Sequence, residues 1–406
     1  MKFTLEKARE YIEIFYNTNK MAADLDIELD NAALMLVGEH GIGKTEILKG
    51  FAKEKGVHCE IVRLSQFDEI GQLKGYPIVK IEVSKDTGPE IVKRWITEKQ
   101  IPTYINDGWV MSKREPVMGD AAPDFISRLK EGDILLLDDF SRNLSFFNNA
   151  IMEIIKEKAF GSWKLPKGVS VFLSSNPDDG NYDVRQLDGA QKDRITPIEI
   201  EWNKESWCRY ADTLYNNDAK IIPDEYINFI FMNPEVVSGY SGDKKYEGAC
   251  SIRRWTNFFK QVALLYPNTK KDLNKIIELG QIVLGDVIHS FGAFINNNFD
   301  KIITPEEIFS ISKFETVIDK INESIKLSDN EYMIRNVITF RLSNYIDRII
   351  ENNITATPEM KDRLVEIGNS TIFEKDNKLF ILKSLAKSEV KFKDVIIKCA
   401  GLFANK

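Results

Sequence analysis

The first half of the chain alternates between helix-like and strand-like patterns of apolar positions. Residues 4–20 predict an opening amphipathic helix, because apolar side chains recur there at helical spacing: Leu5, Ala8, Tyr11, Ile12 and Phe15. Short apolar runs follow at 32–37, 61–64, 134–137, 169–174 and 195–200. Such runs are typical of strands buried on both faces, and helical or loop sequence separates them. The pattern predicts an α/β fold with a central parallel β-sheet flanked by helices.

The connection between the second and third runs, residues 65–131, is too long for a simple crossover. It contains three turn signals, Gly75-Tyr76-Pro77, Asp86-Thr87-Gly88-Pro89 and Asn106-Asp107-Gly108. We therefore expect an inserted hairpin and helix. Two roles stay open for the aromatic residues of this insert: packing its own small core, which is the commoner role, or gripping a substrate. These residues are Tyr76, Trp95, Tyr104 and Trp109.

From Asn203 onward the strand pattern fades and helical patterns dominate. Thr304-Pro305-Glu306-Glu307 has the capping signature of a helix start, and Thr357-Pro358-Glu359 begins a further helix that we expect to close at Gly368. Between them one helical face is apolar: Ile334, Val337, Ile338, Leu342, Tyr345, Ile346 and Ile349. The apolar stretch 276–295 is interrupted by polar residues, which predicts one buried helix and excludes a bilayer span. Domain breaks are predicted near residues 201 and 304.

Composition narrows the function classes. The chain has 406 residues, long enough for two or three domains, and 55 Lys and Arg against 62 Asp and Glu give a net charge of −7. An acidic chain without a basic block disfavours nucleic acid as a partner. The four cysteines and three histidines are dispersed, which disfavours zinc and disulfides. The N-terminus lacks a secretory signal, so we expect a cytoplasmic protein with no membrane partner.

A phosphate-binding motif follows the first apolar run. Gly38-Glu39-His40-Gly41-Ile42-Gly43-Lys44-Thr45 matches G-x-x-x-x-G-K-[ST], and we expect these residues and Glu46 to bind a nucleotide. Glycines let the backbone curl so that successive N–H groups point at an anion, and the following helix adds its positive end. Lys44 is expected to reach the β- and γ-phosphates, and Thr45 to ligate Mg²⁺. His40 is expected to face solvent.

A second strand ends in two carboxylates. The run 133–137 leads into Asp138 and Asp139. Together with the upstream motif, this predicts Asp138 in the Mg²⁺ shell and Asp139 orienting or deprotonating the attacking water. The stretch Asn203-Lys204-Glu205-Ser206 lacks the Asp with which GTPases read guanine in Asn-Lys-x-Asp, so ATP is the expected nucleotide.

At this point the sequence resembles the MoxR-like branch of the AAA+ ATPases over roughly residues 30–305. The motifs that carry the resemblance are the phosphate-binding loop and the segments 134–142, 148–153, 165–166, 174–177 and 187–194. The resemblance implies an AAA+ core over 1–200, an α-helical lid over 201–304 and a helical extension over 305–406. It also implies that the strand ending at Asn176 lies between the strands of Gly38 and Asp138.

The resemblance assigns three further residues. Asn176 would be the sensor-1 residue beside the γ-phosphate, although an Asn-Pro turn alone would explain it. Arg194 would be an arginine finger that reaches the neighbouring subunit, with an Asp193–Arg194 surface pair as the alternative. Arg253 would be the sensor-2 cation, with the adjacent Arg254 as a competitor. Asp139 departs from the family, which more often has Glu there, and hydrolysis is therefore expected to be slow.

The expected activity is ATP hydrolysis by a homo-oligomeric ring, with a hexamer as the expected size, that remodels or matures a protein partner. Two alternatives stay open. The first is an ATP-binding assembly module with little turnover, and the second is the motor subunit of a system that acts on nucleic acid. ATP and Mg²⁺ are the expected cofactors in each case.

Overall fold

Two units make up the chain, Met1–Glu201 and Trp202–Lys406. The computed structural model describes residues 2–27, 29, 33–88, 90–140, 145–178, 187–216, 219–240, 242, 246–296, 302–327 and 331–400. Ala32, the first residue of a predicted strand, lies outside the described residues, as do residues 141–142 of the segment that resembles AAA+ proteins.

The first unit contains both helices and strands. Its strands are β1 (Lys2–Phe3), β2 (Ala33–Val37), β3 (Cys59–Arg63), β4 (Pro77–Asp86), β5 (Ile91–Thr97), β6 (Val110–Met111), β7 (Val117–Asp120), β8 (Ile134–Asp138), β9 (Ala159–Phe160), β10 (Trp163–Lys164), β11 (Ser170–Ser175) and β12 (Ile195–Ile200). Its helices are α1 (Leu5–Leu25), α2 (Lys44–Lys55), α3 (Gly71–Lys74), α4 (Ile101–Asn106), α5 (Asp124–Arg128), α6 (Ser145–Glu157) and α7 (Gly189–Lys192).

The central sheet is parallel and has the strand order β1-β12-β2-β11-β8-β3. All five predicted strands are present, as β2, β3, β8, β11 and β12, so the prediction of a parallel sheet is confirmed. The edge strand β1 was not predicted, because a two-residue strand has no hydrophobic period to detect. The strand ending next to Asn176, β11, lies between β2 and β8, as the resemblance implied.

Helices cover the sheet with their apolar sides. Helix α1 is capped by the Thr4 side chain, which accepts from Lys7 N, and it buries Ala8 and Ile12. The predicted opening helix is confirmed and extends to Leu25. Helix α6 packs Ile151 into the same apolar cluster as Leu135 of β8. These side chains are fully buried, and their removal from water drives the packing of the helices on the sheet.

The insert 65–131 forms a small antiparallel sheet in which β4 pairs with β5, β6 and β7. The predicted hairpin is β4–β5 and the predicted helix is α4. Trp109 is buried with Val83 and Ile96, and its ring meets Tyr104 edge-on with a centroid distance of 5.4 Å. Two of the four aromatic residues therefore pack the insert's own core, as the commoner role predicted. Tyr76 and Trp95 are exposed.

The second unit is helical apart from one short hairpin, among the described residues. Its strands are β13 (Tyr215–Asn216) and β14 (Ala219–Lys220). Its helices are α8 (Lys204–Asp212), α9 (Asp224–Met232), α10 (Ile252–Leu265), α11 (Leu273–Leu284), α12 (Ile288–Asn296), α13 (Pro305–Ser310), α14 (Phe314–Ile325), α15 (Glu331–Glu351), α16 (Pro358–Asn369), α17 (Lys375–Ala386) and α18 (Glu389–Ala400). None of the described helices has the length and apolar character needed to cross a bilayer.

In this unit the predicted start of α13 agrees with the structure, whereas two predicted helix ends do not. The Thr304 side chain accepts from Glu307 N at 3.2 Å, and Glu307 Oε2 accepts from Thr304 N at 3.0 Å, so the capping prediction is confirmed. The predicted single helix over 276–295 is wrong, because Gly285, at φ 80° and ψ −158°, separates α11 from α12. The predicted end at Gly368 is early by one residue.

Packing explains the glycine at position 368. It lies in the last turn of α16, where an added Cβ would approach Cys399 Sγ to 2.6 Å. This glycine therefore allows α16 and α18 to pack closely and does not act as the helix cap. Ser370 occupies the cap position.

Candidate nucleotide-binding site

The loop between β2 and α2 has the backbone geometry of a phosphate cradle. Gly41 and Gly43 have φ values of 82° and 107°, in the region that disfavours a side chain. Gly38 donates its N–H to Ser175 O at 3.1 Å, which ties the start of the loop to strand β11. An added Cβ at Gly38 would lie 2.6 Å from Ile200 O. The three glycines of the motif are therefore required by the conformation of the loop.

Lys44 lies across the start of its own loop. Its side chain is buried, and its Nζ donates to Gly38 O at 2.6 Å and to Glu39 O at 2.8 Å. A buried ammonium needs such acceptors, because an isolated buried charge is costly. The lysine charge and the N-terminus of α2 therefore meet at the same loop, where they create a positive field suited to phosphate oxygens.

The remaining loop residues differ in exposure. Thr45 is half-buried in the first turn of α2. His40 is exposed, and Glu46 is exposed and pairs with Lys49 at 2.8 Å. The Glu46 side chain therefore points toward the exposed Lys49 on the surface of α2. Ile42 is buried and anchors the loop.

The two carboxylates follow strand β8, where the sequence predicted them. Ser174 Oγ donates to Asp138 Oδ1, and the N–H of Asp139 donates to Ser174 Oγ at 3.2 Å. Asp139 adopts a left-handed backbone with φ 59°, which is uncommon for a residue other than glycine. Ser65 Oγ lies 3.5 Å from Asp139 Oδ2. Ser174 and Ser65 had no predicted role, because their contacts with Asp138 and Asp139 arise between segments that are distant in sequence.

Asn176 follows directly after β11 and is buried. Ser175 pairs with Val37, the residue before Gly38, and Leu173 pairs with Leu137, the residue before Asp138. Because the three strands are parallel, their carboxyl ends meet at one edge of the sheet. The structure therefore brings Lys44, Asp138, Asp139 and Asn176 to the same edge. This is the position where open α/β sheets bind ligands.

Arg194 lies at the opposite edge of the sheet. It directly precedes β12, whose first residue, Ile195, pairs with Ala33 at the start of β2. Strand β2 has five residues, so about 16 Å of strand separates this level from the loop at Gly38. Arg194 is half-buried, and the alternative to the arginine finger, a surface ion pair with Asp193, is not formed among the described residues. Arg194 is therefore not part of the cluster around Lys44.

Arg253 lies in the second unit, in the first turn of α10. The Ser251 side chain caps this helix by accepting from Arg254 N at 3.4 Å. The two candidate arginines differ in their contacts: Arg254 Nη2 donates to Val283 O, whereas Arg253 is exposed and makes no such bond in the described part of the chain. Arg253 is therefore the arginine of this pair that is available to a ligand.

The residues at this edge of the sheet suit a Mg²⁺ ion that takes most of its ligands from nucleotide phosphates and water. Asp138 and Thr45 supply oxygen atoms, the ligand type that Mg²⁺ prefers. Among the described residues, no group of three or more His, Cys, Asp or Glu could hold a metal ion. Mg²⁺ characteristically takes one or two protein ligands and completes its shell with phosphates and water.

No protein-family model and no curated protein sequence matches this chain. Solved structures that resemble it include NtrX from Brucella abortus in complex with ATP, with a TM-score of 0.36, 10% identity and coverage of 84% of this chain and 64% of NtrX. A RuvB point mutant from Thermotoga maritima has a TM-score of 0.38 and 12% identity, with coverage of 88% and 93%. PCH-2 from C. elegans has a TM-score of 0.30 and 11% identity, with coverage of 73% and 69%.

These low scores do not identify the chain, which spans only 64% of the length of NtrX. The fold assignment rests on the sheet order and on the loop between β2 and α2. The chain has an α/β core in which six parallel strands are flanked by helices and a glycine-rich loop joins β2 to α2, followed by a helical C-terminal region.

Proposed function

We propose that the protein binds ATP with Mg²⁺ and hydrolyses it as an AAA+ ATPase. The observation that carries this proposal is the convergence of Lys44, Asp138 and Asn176 at one edge of the sheet. A glycine turn that binds no ligand would not need the buried Lys44 side chain across it. Nor would it need Asp138 at the end of β8, which is separated from β2 by one strand, β11. Within the AAA+ ATPases, we propose the MoxR-like branch, on the sequence motifs that resemble it.

The roles follow from the chemistry of phosphoryl transfer, in which catalysis is mostly positioning and charge stabilisation. Backbone N–H groups between Gly38 and Thr45 would hold the phosphates, and Lys44 would neutralise charge on the β- and γ-phosphates. Thr45 and Asp138 would hold Mg²⁺, which screens the phosphate charge when it is bound. Asp139 and Asn176 would orient the attacking water.

Arg194 belongs to the proposal as a residue that acts on the neighbouring subunit. It lies at the sheet edge away from its own P-loop, so it cannot stabilise charge on the nucleotide bound by the same subunit. A heterologous contact that brings Arg194 to the next P-loop generates a ring when the rotation closes. We therefore propose a homo-oligomeric ring, with six subunits as its expected size.

The backbone at Asp139 supports slow turnover. The carboxylate is one methylene shorter than the usual Glu, and the left-handed backbone changes the direction in which it projects. Small misplacements of a catalytic group reduce rate by orders of magnitude. The assembly module with little turnover therefore remains the second candidate function, because the same observation favours it.

The second unit is proposed to supply the lid, over 201–304, and the extension, over 305–406. Arg253 at the exposed start of α10 would contact the β- and γ-phosphates as sensor 2. The proposed partner is a protein that the ring remodels or matures in the cytoplasm, since the acidic chain disfavours nucleic acid. The exposed Tyr76 and Trp95 of the insert are candidates for contacting that partner.

Substitution of the two groups closest to the phosphates tests the ATPase. Lys44→Ala and Asp138→Asn should each reduce ATP turnover by at least about a hundredfold, because the first removes the positive charge on the phosphates and the second removes a ligand of the Mg²⁺ that screens them. Phosphate release by the purified oligomer measures the effect. Lys49→Ala is the matched control, since this exposed lysine of the same helix pairs only with Glu46 among the described residues. Unchanged turnover in both variants would exclude the assignment.

A further inference from the structure

Ser174 forms hydrogen bonds with both carboxylate residues that follow β8. Its Oγ donates to Asp138 Oδ1 and accepts the N–H of Asp139 at 3.2 Å. We propose that Ser174 is a positioning residue that fixes the Asp138 carboxylate for Mg²⁺ and the Asp139 backbone for the water. The inference rests on the proposed ATPase function and names a residue to which that function assigns no role.

The burial of Ser174 shows why these bonds matter. Ser174 is 1% exposed and follows Phe172 and Leu173, both fully buried, in the middle strand of the site. A hydroxyl loses its hydrogen bonds to water at such a position, so an unpaired one would destabilise the fold. Here the donor and the acceptor side are both used, and both bonds lead to the carboxylate pair.

The bond to Asp138 orients one carboxylate oxygen. A charge-assisted hydrogen bond from a buried hydroxyl fixes the plane of the carboxylate, because rotation would break it. Oδ1 is occupied by Ser174, and the described structure gives Oδ2 no hydrogen-bond partner. Oδ2 is therefore the oxygen available to a metal ion. Hydrogen-bond partners that hold metal ligands in this way strengthen metal binding.

The bond from Asp139 stabilises an unfavourable backbone. Asp139 has φ 59°, and such a conformation persists only where the surroundings hold it. The N–H of Asp139 is held by Ser174, and its side chain lies 3.5 Å from Ser65 Oγ. Removal of the Ser174 hydroxyl would release the backbone and allow the Asp139 carboxylate to point elsewhere. Ser174 thus acts through other residues and does not itself touch the substrate.

Strand β11 supplies a matched control. Ser170 is fully buried on the same strand, but its Oγ has no hydrogen-bond partner among the described residues. Ser174→Ala and Ser170→Ala therefore each remove one hydroxyl oxygen from the same strand. Only the Ser174 hydroxyl contacts Asp138 and Asp139. Ser174→Thr retains the hydroxyl and adds a methyl group.

The experiment measures binding of a fluorescent N-methylanthraniloyl derivative of ATP to the full chain during Mg²⁺ titration, and again in EDTA. Ser174→Ala should raise the Mg²⁺ concentration for half-maximal binding about tenfold, the usual effect of losing a partner of a metal ligand. Binding in EDTA should stay unchanged, because the P-loop does not depend on Ser174. Ser170→Ala should match the wild type, and Ser174→Thr should recover most of the Mg²⁺ dependence.

Two outcomes would overturn the role of Ser174: the same Mg²⁺ dependence in Ser174→Ala as in Ser170→Ala, or an equal loss of binding with and without Mg²⁺. The second would mean that the hydroxyl supports only the fold. Failure of the proposed function has a different signature, since the wild type itself would then bind no nucleotide at any Mg²⁺ concentration.

Discussion

Gly38 marks the point where β2 turns into the phosphate-binding loop. The space for a side chain is closed on one side by Ile200 O, 2.6 Å from the position of an added Cβ, and on another by the Ile42 side chain. A backbone carbonyl in a paired strand cannot rotate away as a flexible side chain can. The backbone of the loop is therefore set by close approach to β12 as well as by phosphate chemistry.

This contact gives a prediction for Gly38→Ala. The added methyl group should displace the loop, lower the free energy of unfolding by about 1–3 kcal/mol and weaken nucleotide binding more than tenfold. Gly50→Ala is the matched control, because Gly50 lies within α2 and an added Cβ would meet no atom within 4 Å. It should stabilise the protein by about 0.5–1 kcal/mol and leave binding unchanged. Urea unfolding and nucleotide titration measure both; equal effects of the two alanines would contradict this account.

At the scale of elements, one ion cluster joins helices α8, α9 and α15 and strand β14 of the second unit. Arg341 of α15 pairs with Asp224 of α9 at 3.0 Å and donates to Ile302 O at 3.1 Å. Lys220 of β14 pairs with Asp224 and Asp212. Burial raises the pKa of Asp224, but the charges of Arg341 and Lys220 outweigh it and hold the pKa below its ordinary value of 3.8. The ionised carboxylate therefore stabilises the folded state.

The sign of the pH dependence follows from this lowered pKa. Stability from Asp224 is fully present above about pH 4, the region of the unfolded pKa, and is lost as the pH falls through the lower folded pKa. Asp224→Asn should lower the free energy of unfolding at pH 7 by about 1–3 kcal/mol, less than for a fully buried pair, since the Asp224 side chain is 35% exposed. It should also reduce the loss of stability between pH 4 and pH 2.

Denaturant unfolding of the full chain over this pH range measures the effect. Asp319→Asn is the control, because Asp319 is exposed on α14 and has no ion pair in the described structure. An acid sensitivity of Asp224→Asn as steep as that of the control would show that the cluster does not stabilise the fold through this carboxylate.

The elements that the sequence predicted are those whose stabilisation is local or strongly periodic. Strands such as β8 are buried on both faces, so their apolar runs indicate them directly, and Thr304 and Glu307 cap α13 through neighbours in sequence. The break at Gly285 was not predicted, because apolar residues continue on both sides of it.

The residues of the candidate site also divide into those that contiguous sequence predicts and those that depend on the fold. The loop Gly38–Thr45 and the pair Asp138–Asp139 are contiguous in sequence and could be predicted. The contact between Ser174 and Asp138 joins two strands 36 positions apart, and it depends on the order of strands in the sheet. Sequence spacing alone does not contain that order. The left-handed backbone of Asp139 likewise depends on partners from β11 and from Ser65.

At the scale of the whole molecule, the sheet separates the P-loop from Arg194. The P-loop follows the carboxyl end of β2, whereas Arg194 precedes the amino end of β12, and these two strands are parallel neighbours. If Arg194 acts as proposed, a subunit built in this way would present one half of a phosphoryl-transfer site at each edge of its sheet. The complete site would then require two copies of the chain, and the proposed activity would be a property of the assembly.

This arrangement predicts complementation between two inactive variants. Arg194→Ala and Lys44→Ala should each abolish turnover alone, since every site lacks either the finger or the P-loop lysine. In rings assembled from equal amounts of both, about a quarter of the sites should combine an intact Lys44 with an intact Arg194 from the neighbour and regain activity. Phosphate release from co-assembled protein measures the recovery.

The control pairs Lys44→Ala with Asp138→Asn. Both substitutions disable the P-loop edge, so no mixture of them contains a complete site and turnover should stay absent. Recovery in the first mixture and not in the second would place Arg194 at the neighbour's nucleotide, and turnover per subunit should then rise steeply with protein concentration. No recovery in either mixture would remove Arg194 from the site. Tight ATP binding with negligible wild-type turnover at every concentration would instead favour the assembly module.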